Sequence, residues 1–265
     1  MSLRLLALAG AAALAFAAPV RAQAGFVVEY PPVQAAEDAH TRAWLMERGQ
    51  MDRLAVWLNR WIRMPREVAL RMVECPASDI RWNADERSVE ICYRMITRIY
   101  GIAGSDADLR RAITGAHLYM VLHGVAHAIV DELNLPTPNG EEAAVDELAV
   151  LLIAHAREPG MSTSTFVVGG ITTLQRTDAR WGEWAYATTH GLTAERFRNV
   201  ACLVDGMNPW GDDELREAGL VEAASRQRCR AAALRVVDVW GRRLSRYLRA
   251  YGEAPDAPVR RPSPR

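Results

Sequence analysis

The sequence predicts an α+β fold, mainly α with a small antiparallel β-hairpin or sheet. Three observations predict it. Apolar residues recur at helical spacing in the long segments, as in Leu54, Trp57, Leu58 and Trp61. Two short alternating stretches, Ile80-Arg81-Trp82 and Val89-Glu90-Ile91, flank the turn-like Asn83-Ala84-Asp85-Glu86, which is the pattern of a hairpin. No internal repeat and no linker divides the chain. Its 265 residues, half of them hydrophobic, therefore suit a single domain over residues 25–252 with a substantial core.

Taken in order, Met1 to Ala24 reads as a secretory leader. Arg4 supplies the positive start, Leu5 to Ala18 is nearly unbroken apolar sequence, and small residues at Val20-Arg21-Ala22 or Ala22-Gln23-Ala24 offer a cleavage site. The apolar stretch is shorter than the ~20 residues of a spanning helix, so no transmembrane segment is expected once the leader is removed. Gly25 to Gln34 forms an extended lead-in. Ala35 to Arg48 and Met51 to Ile62 follow as helices, the second stopped by Pro65, and Val68 to Val73 reads as a strand before the hairpin. A long helical segment starts near Ser105, runs through the apolar stretch Ala116 to Val130 and stops at Asn134-Leu135-Pro136. Pro136 to Gly140 turns the chain into a helix over Glu141 to Arg157.

Met161 to Thr173, rich in Gly, Ser and Thr, is expected to be an irregular connection or a lid. Further helices are expected near Ala179 to Thr188, Thr193 to Val204 and Val221 to Tyr251. The last carries many arginines and an apolar stripe of Leu234, Val237, Trp240, Leu244 and Leu248, read as ordinary packing beneath a solvated cationic face. The tail, residues 253–265, holds four prolines and a basic end and is expected to be disordered.

The formal charge of the whole chain is zero, and leader removal takes away Arg4 and Arg21 but no acid. The mature protein is thus slightly acidic, which argues against nucleic acid as a partner. Cys75, Cys92, Cys202 and Cys229 make an even set behind a leader, so two disulfides in an oxidising compartment are expected, periplasmic or secreted. Four cysteines allow three connectivities. The local pairings, Cys75–Cys92 and Cys202–Cys229, are favoured, and the first would stabilise by ~3 kcal/mol in the loop-entropy account.

The informative stretch is His123-Gly124-Val125-Ala126-His127. Residues four apart share a helix face, so both imidazoles can point at one ion. The helix around them is apolar nearly all round, hence buried, and buried imidazoles need polar partners. The following helix opens with Glu141-Glu142-Ala143-Ala144-Val145-Asp146-Glu147, placing Glu142 and Asp146 one turn apart on a stripe otherwise apolar. A zinc site would satisfy all four groups. Glu142 is the first choice of third ligand and Asp146 the alternative; otherwise Asp146 accepts the second N–H of a ligand histidine. Asp131 lies ~12 Å along the helix from His123, so it can orient His127 but not share the ion. The competing reading is a pair of satisfied core histidines with two acids favoured by a helix dipole.

Together these residues resemble a bacterial family of uncharacterised proteins classed with the zinc metallopeptidases and related to the zincins. The resemblance runs from Pro65 to Cys229. It rests on Cys75 and Cys92-Tyr93, the two-histidine helix followed by Asp131-Glu132-Leu133-Asn134-Leu135-Pro136, Gly140-Glu141-Glu142 with Asp146, His190-Gly191-Leu192, Glu195-Arg196-Phe197 and Asn199-Val200-Ala201-Cys202. It implies a zincin-like architecture, zinc held by His123 and His127, a peptide or protein as substrate or ligand, and His190 as a donor to the substrate oxyanion. His40, His117 and His155 match nothing in the family and read as surface or core fill. Gly124 stands where the family motif has the glutamate that activates water, and Ala143 where a second acid is common. Glycine cannot accept a proton, and loss of a general base typically slows such a reaction by ~10²–10⁴-fold. Either another acid such as Glu147, or the substrate itself, replaces it, or the chain is a metal- or peptide-binding pseudo-enzyme; a structural helical protein without metal is the third possibility.

Overall fold

In the computed structural model, residues 24–76, 80–155, 193–207, 214–217 and 219–250 are described. The leader, the segment Met161 to Thr173, the helix expected at Ala179 to Thr188, His190 and the proline-rich tail lie outside them.

The elements run β1 (Gly25–Glu29), α1 (Ala36–Arg48), α2 (Gln50–Trp61), β2 (Glu67–Val73), β3 (Ile80–Asn83), β4 (Ser88–Cys92), α3 (Tyr93–Ala103), α4 (Ala107–Glu132) and α5 (Glu141–His155). After residue 193 come α6 (Ala194–Met207), α7 (Glu214–Glu217), a 3₁₀ turn (Ala223–Ser225) and α8 (Arg226–Leu244). The fold is thus mainly helical with one small sheet, as the sequence predicts.

The sheet departs from expectation in its pairing. Its order is β1-β2-β4-β3. The hairpin β3–β4 is antiparallel, with Ile80 opposite Ile91 and Trp82 opposite Val89. However, β1 pairs with β2 and β2 with β4 in parallel, so the sheet is mixed. The extended lead-in is an edge strand, and α1 and α2 form the crossover that parallel pairing requires. Asn59 on α2 closes that edge: its Oδ1 accepts the Phe26 N–H at 2.7 Å and its Nδ2 donates to the Phe26 carbonyl at 2.8 Å. A helix absent from the sequence reading, α3, follows β4 directly.

Two disulfides tie the layers. Cys75 bonds to Cys92, joining the chain just beyond β2 to the end of β4, and Cys202 bonds to Cys229, joining α6 to α8. On the second contact α6 and α8 approach so closely that a Cβ at Gly206 would lie 2.2 Å from the Cys229 carbonyl oxygen. Glycine is the side chain this crossing admits.

The last helix is shorter than expected and rotated. It ends at Leu244, after which Leu248 forms an isolated bridge with Ile62. Its buried stripe is Cys229, Ala233, Val236, Trp240 and Leu244, whereas Leu234 and Val237 are exposed. The expected stripe was correct at its C-terminal half only, because the Cys229 disulfide and the Gly206 contact set which face turns inward.

The core lies between the sheet and α4, and again between α4, α5, α6 and α8. Helix α4 is buried almost without break from Ala116 to Val130. Such a helix is wrapped on all sides, here by β3, β4, α3 and α5. No helix among the described residues is long and apolar enough to cross a membrane.

Candidate metal centre

Gly124 sets the approach of α4 to the sheet. A Cβ there would stand 2.9 Å from Ile80 Cγ2 and 2.9 Å from Val89 Cγ1. The glycine therefore permits a close helix–sheet contact between α4 and the β3–β4 hairpin. His123 and His127, one turn apart, emerge on another face and meet α5.

Each imidazole has a carboxylate oxygen near both nitrogens. His123 Nδ1 lies 3.1 Å from Asp146 Oδ1, and its Nε2 lies 3.4 Å from Glu142 Oε2. His127 Nδ1 lies 2.8 Å from Glu141 Oε1, and its Nε2 lies 3.4 Å from Glu142 Oε1. Both rings thus set Nδ1 against a carboxylate and turn Nε2 toward Glu142. A carboxylate on Nδ1 keeps the proton there and leaves the Nε2 lone pair available to a cation.

Asp146 is the hub of the arrangement. Besides His123, its Oδ1 accepts from Tyr119 Oη at 2.7 Å and Arg196 Nη2 at 2.9 Å, and its Oδ2 accepts from Arg196 Nε at 2.8 Å. Three hydrogen bonds and the adjacent His123 ring take up most of what a carboxylate can accept. Asp146 orients His123, and of the two candidate third ligands Glu142 is the one placed between the Nε2 atoms. Arg196 Nη2 also reaches Glu142 Oε2 at 2.9 Å. Thr193 fixes the start of α6, its hydroxyl accepting the Arg196 N–H at 3.2 Å, and so sets where that guanidinium points.

The electrostatics follow. Burial pushes the His123 imidazolium down, but hydrogen bonds to Asp146 and Glu142 outweigh it and its pKa is raised. Burial pushes Asp146 up, and His123 and Arg196 more than reverse this, holding its carboxyl below the usual range. Burial likewise works against the Arg196 charge, and Asp146 overcomes it, raising an already high pKa. With both imidazoles neutral, as ligation of a cation requires, Glu141, Glu142 and Asp146 contribute three negative charges and Arg196 one positive, leaving two negative charges. The site favours added positive charge.

One ligand atom each from His123, His127 and Glu142 lies within 4.8 Å of the others. Ligand atoms ~2.0–2.2 Å from a small tetrahedral dication stand roughly 3.4 Å apart. Each Nε2 lies 3.4 Å from a Glu142 oxygen, His123 from Oε2 and His127 from Oε1. Two imidazoles, one carboxylate and a net charge of minus two fit a first-row dication by chemistry, and the three groups stand close enough to share one.

Other expected roles change. Asp131 does not orient His127; it accepts from Trp82 Nε1 at 2.9 Å, tying α4 to β3, while Glu141 serves His127. Glu147 accepts from Trp240 Nε1 at 3.0 Å and lines a cavity of about 520 Å³ between α5, α6 and α8. It is occupied away from the histidines. His117 is core, as expected, packed edge-on against Tyr100. Tyr119, Glu141 and Arg196 carry no role in the sequence reading. Tyr119 was open to notice, being one turn before His123 on the same face.

The model of one protein family, described as Putative metallopeptidase (DUF4344), matches residues 30–244. None of the curated proteins and none of the solved structures matches the chain.

Proposed function

Since the chain belongs to that metallopeptidase family over most of its length, we propose that it is an exported zinc-binding protein acting on peptides or proteins. The observation that carries this reading is the paired arrangement of the histidines, each with Nδ1 on a carboxylate and Nε2 facing Glu142. His123, His127 and Glu142 would hold the zinc, with Asp146 and Glu141 fixing the two rings. Zinc held there would supply Lewis acidity to polarise a scissile carbonyl and acidify water. His190, if it donates to the substrate oxyanion, does so from outside the described residues. Two disulfides and a leader-like start support a periplasmic or secreted location.

The chain's own residues limit the proton chemistry. Position 124 presents no carboxylate, and its Cβ direction is filled by Ile80 and Val89. Asp146 is engaged by Tyr119 and Arg196, Glu141 lies on the Nδ1 side of His127, and Glu147 is tied to Trp240. None of these three is offered to the Nε2 side. Among the described residues, proton acceptance then falls to Glu142 itself, or else to the substrate. The packing of Gly124 favours a second reading, a metal- or peptide-binding pseudo-enzyme.

Metal analysis and a peptide-library digest separate the readings. Stoichiometric zinc that is lost in His123→Ala and His127→Ala supports the metal centre; no zinc after reconstitution leaves a structural helical protein. Cleavage abolished by a chelator and restored by zinc establishes the peptidase. Zinc binding without cleavage establishes the pseudo-enzyme.

A further inference from the structure

We infer that Arg196 is a positioning residue of the metal centre, presenting both Glu142 and His123 to the ion without touching it. This rests on the reading that His123, His127 and Glu142 hold a metal. Arg196 Nε and Nη2 take the two oxygens of Asp146 at 2.8 and 2.9 Å, and Nη2 also takes Glu142 Oε2 at 2.9 Å. Asp146 in turn holds His123 Nδ1. One guanidinium thus begins two chains of contacts, one ending at His123 Nε2 and the other at the Glu142 carboxylate. Glu142 sits in the first turn of α5 with its side chain 34% exposed. With Oε2 held by Arg196, Oε1 stays beside His127 Nε2 at 3.4 Å. Without that hold, a flexible side chain at a helix end has one restraint fewer against swinging into water.

Arg196 acts on metal affinity in two opposed ways. Its charge repels a dication, while its hydrogen bonds to Asp146 and its ion pair with Glu142 order the ligands. The geometry decides between them, because the guanidinium is already neutralised by the two carboxylates it touches, so little net repulsion reaches the ion. Ordering dominates. Lysine would keep the charge, but a compact ammonium cannot reproduce a planar fork that spans both oxygens of Asp146 and one of Glu142.

The test uses the full mature protein, stripped of metal and titrated with zinc against a chromophoric chelator. Cobalt absorption serves as a second readout of ligand arrangement. Arg196→Lys and Arg196→Met are each expected to weaken zinc binding by ~10–100-fold and to alter the cobalt spectrum. Arg235→Met, which removes an equal charge from the neighbouring cavity wall, is expected to change neither. Circular dichroism checks the fold, and Arg196→Lys decides alone if Arg196→Met does not fold. Lysine binding zinc as tightly as arginine, or methionine binding it more tightly, overturns the positioning role while leaving the metal site intact. Failure of the unsubstituted protein to bind zinc overturns the metal reading, and this inference with it.

Discussion

Replacing Gly124 tests whether the residue beside His123 is a lost base or a packing contact. A Cβ at 124 would lie 2.9 Å from a methyl of Ile80 and 2.9 Å from a methyl of Val89. Carbon atoms pack best at ~3.5–4.0 Å, so about 0.6 Å or more must be found. Both methyls sit on β-branched side chains, stiff at χ1 and one bond from the Cβ. Val89 is fully buried on β4, which is paired on both sides. The strand itself has to move, and overpacking of this kind costs ~1–3 kcal/mol. Alanine returns ~1 kcal/mol of helix propensity, so Gly124→Ala should lose up to ~2 kcal/mol, a fall in Tm of ~2–4 °C per kcal/mol. Gly124→Glu should lose ~1–3 kcal/mol more, for a carboxylate placed under the sheet without a partner. The assay is urea unfolding at constant m-value. A double-mutant cycle with Val89→Ala should show a coupling of ~0.5–3 kcal/mol that relieves the strain. An alanine variant at least as stable as the parent, with no coupling to Val89, refutes the packing account. Gly124→Glu would then be a fair test of restored catalysis.

Further expectations concern other parts of the fold. Asp146→Asn breaks a buried contact to Arg196 and should destabilise by ~3–5 kcal/mol, with zinc affinity down ~10–100-fold; equilibrium unfolding and chelator competition read the two. Burial pushes His117 down to about 4, so between its unfolded pKa of ~6.5 and 4 the unfolded chain binds the proton and the folded chain does not. Stability is unaffected by this group above pH 6.5 and falls as pH drops through that window, by about 2–3 kcal/mol at pH 4.5. His117→Phe, which keeps a ring against Tyr100, should remove that part of the acid sensitivity in urea melts at pH 7 and 4.5. Reducing Cys202–Cys229, which closes 27 residues, should cost about 3–4 kcal/mol, read as a fall in Tm with reductant; Gly206→Ala should fail to form the α6–α8 crossing even under oxidising conditions.

Legibility followed the range of the interaction. His123 and His127 were readable because a spacing of four fixes a shared helix face, and Glu142 because a short loop returns α5 alongside α4. The hairpin was readable from its turn and its alternation. Parallel pairing of β1 was not, since it leaves no turn signature and depends on a crossover through α1 and α2. Arg196 meets Asp146 across a separation of 50 residues, and an arginine near the start of a helix looks like any solvated one. The expected partnership of Asp131 with His127 failed for a related reason: helix geometry allows it, but Trp82 arrives from β3 to claim the carboxylate. The stripe on α8 slipped because its inward face is chosen by a disulfide and a glycine on another helix.

The candidate metal centre and the fold draw on the same helix, and this explains why its sequence is so apolar. Helix α4 must lie against the sheet on one side, through Gly124, and against α5 on the other, through His123 and His127. Buried imidazoles are costly without partners. Three carboxylates around the rings, Asp146 buried and Glu141 and Glu142 partly open to water, supply partners but leave excess negative charge beside the buried imidazoles. Arg196 offsets one of those charges, and a dication would offset the remaining two. On this accounting metal loss should loosen the α4–α5–α6 junction more than the sheet. The centre therefore belongs to the core's own stability as well as to any chemistry at its open face.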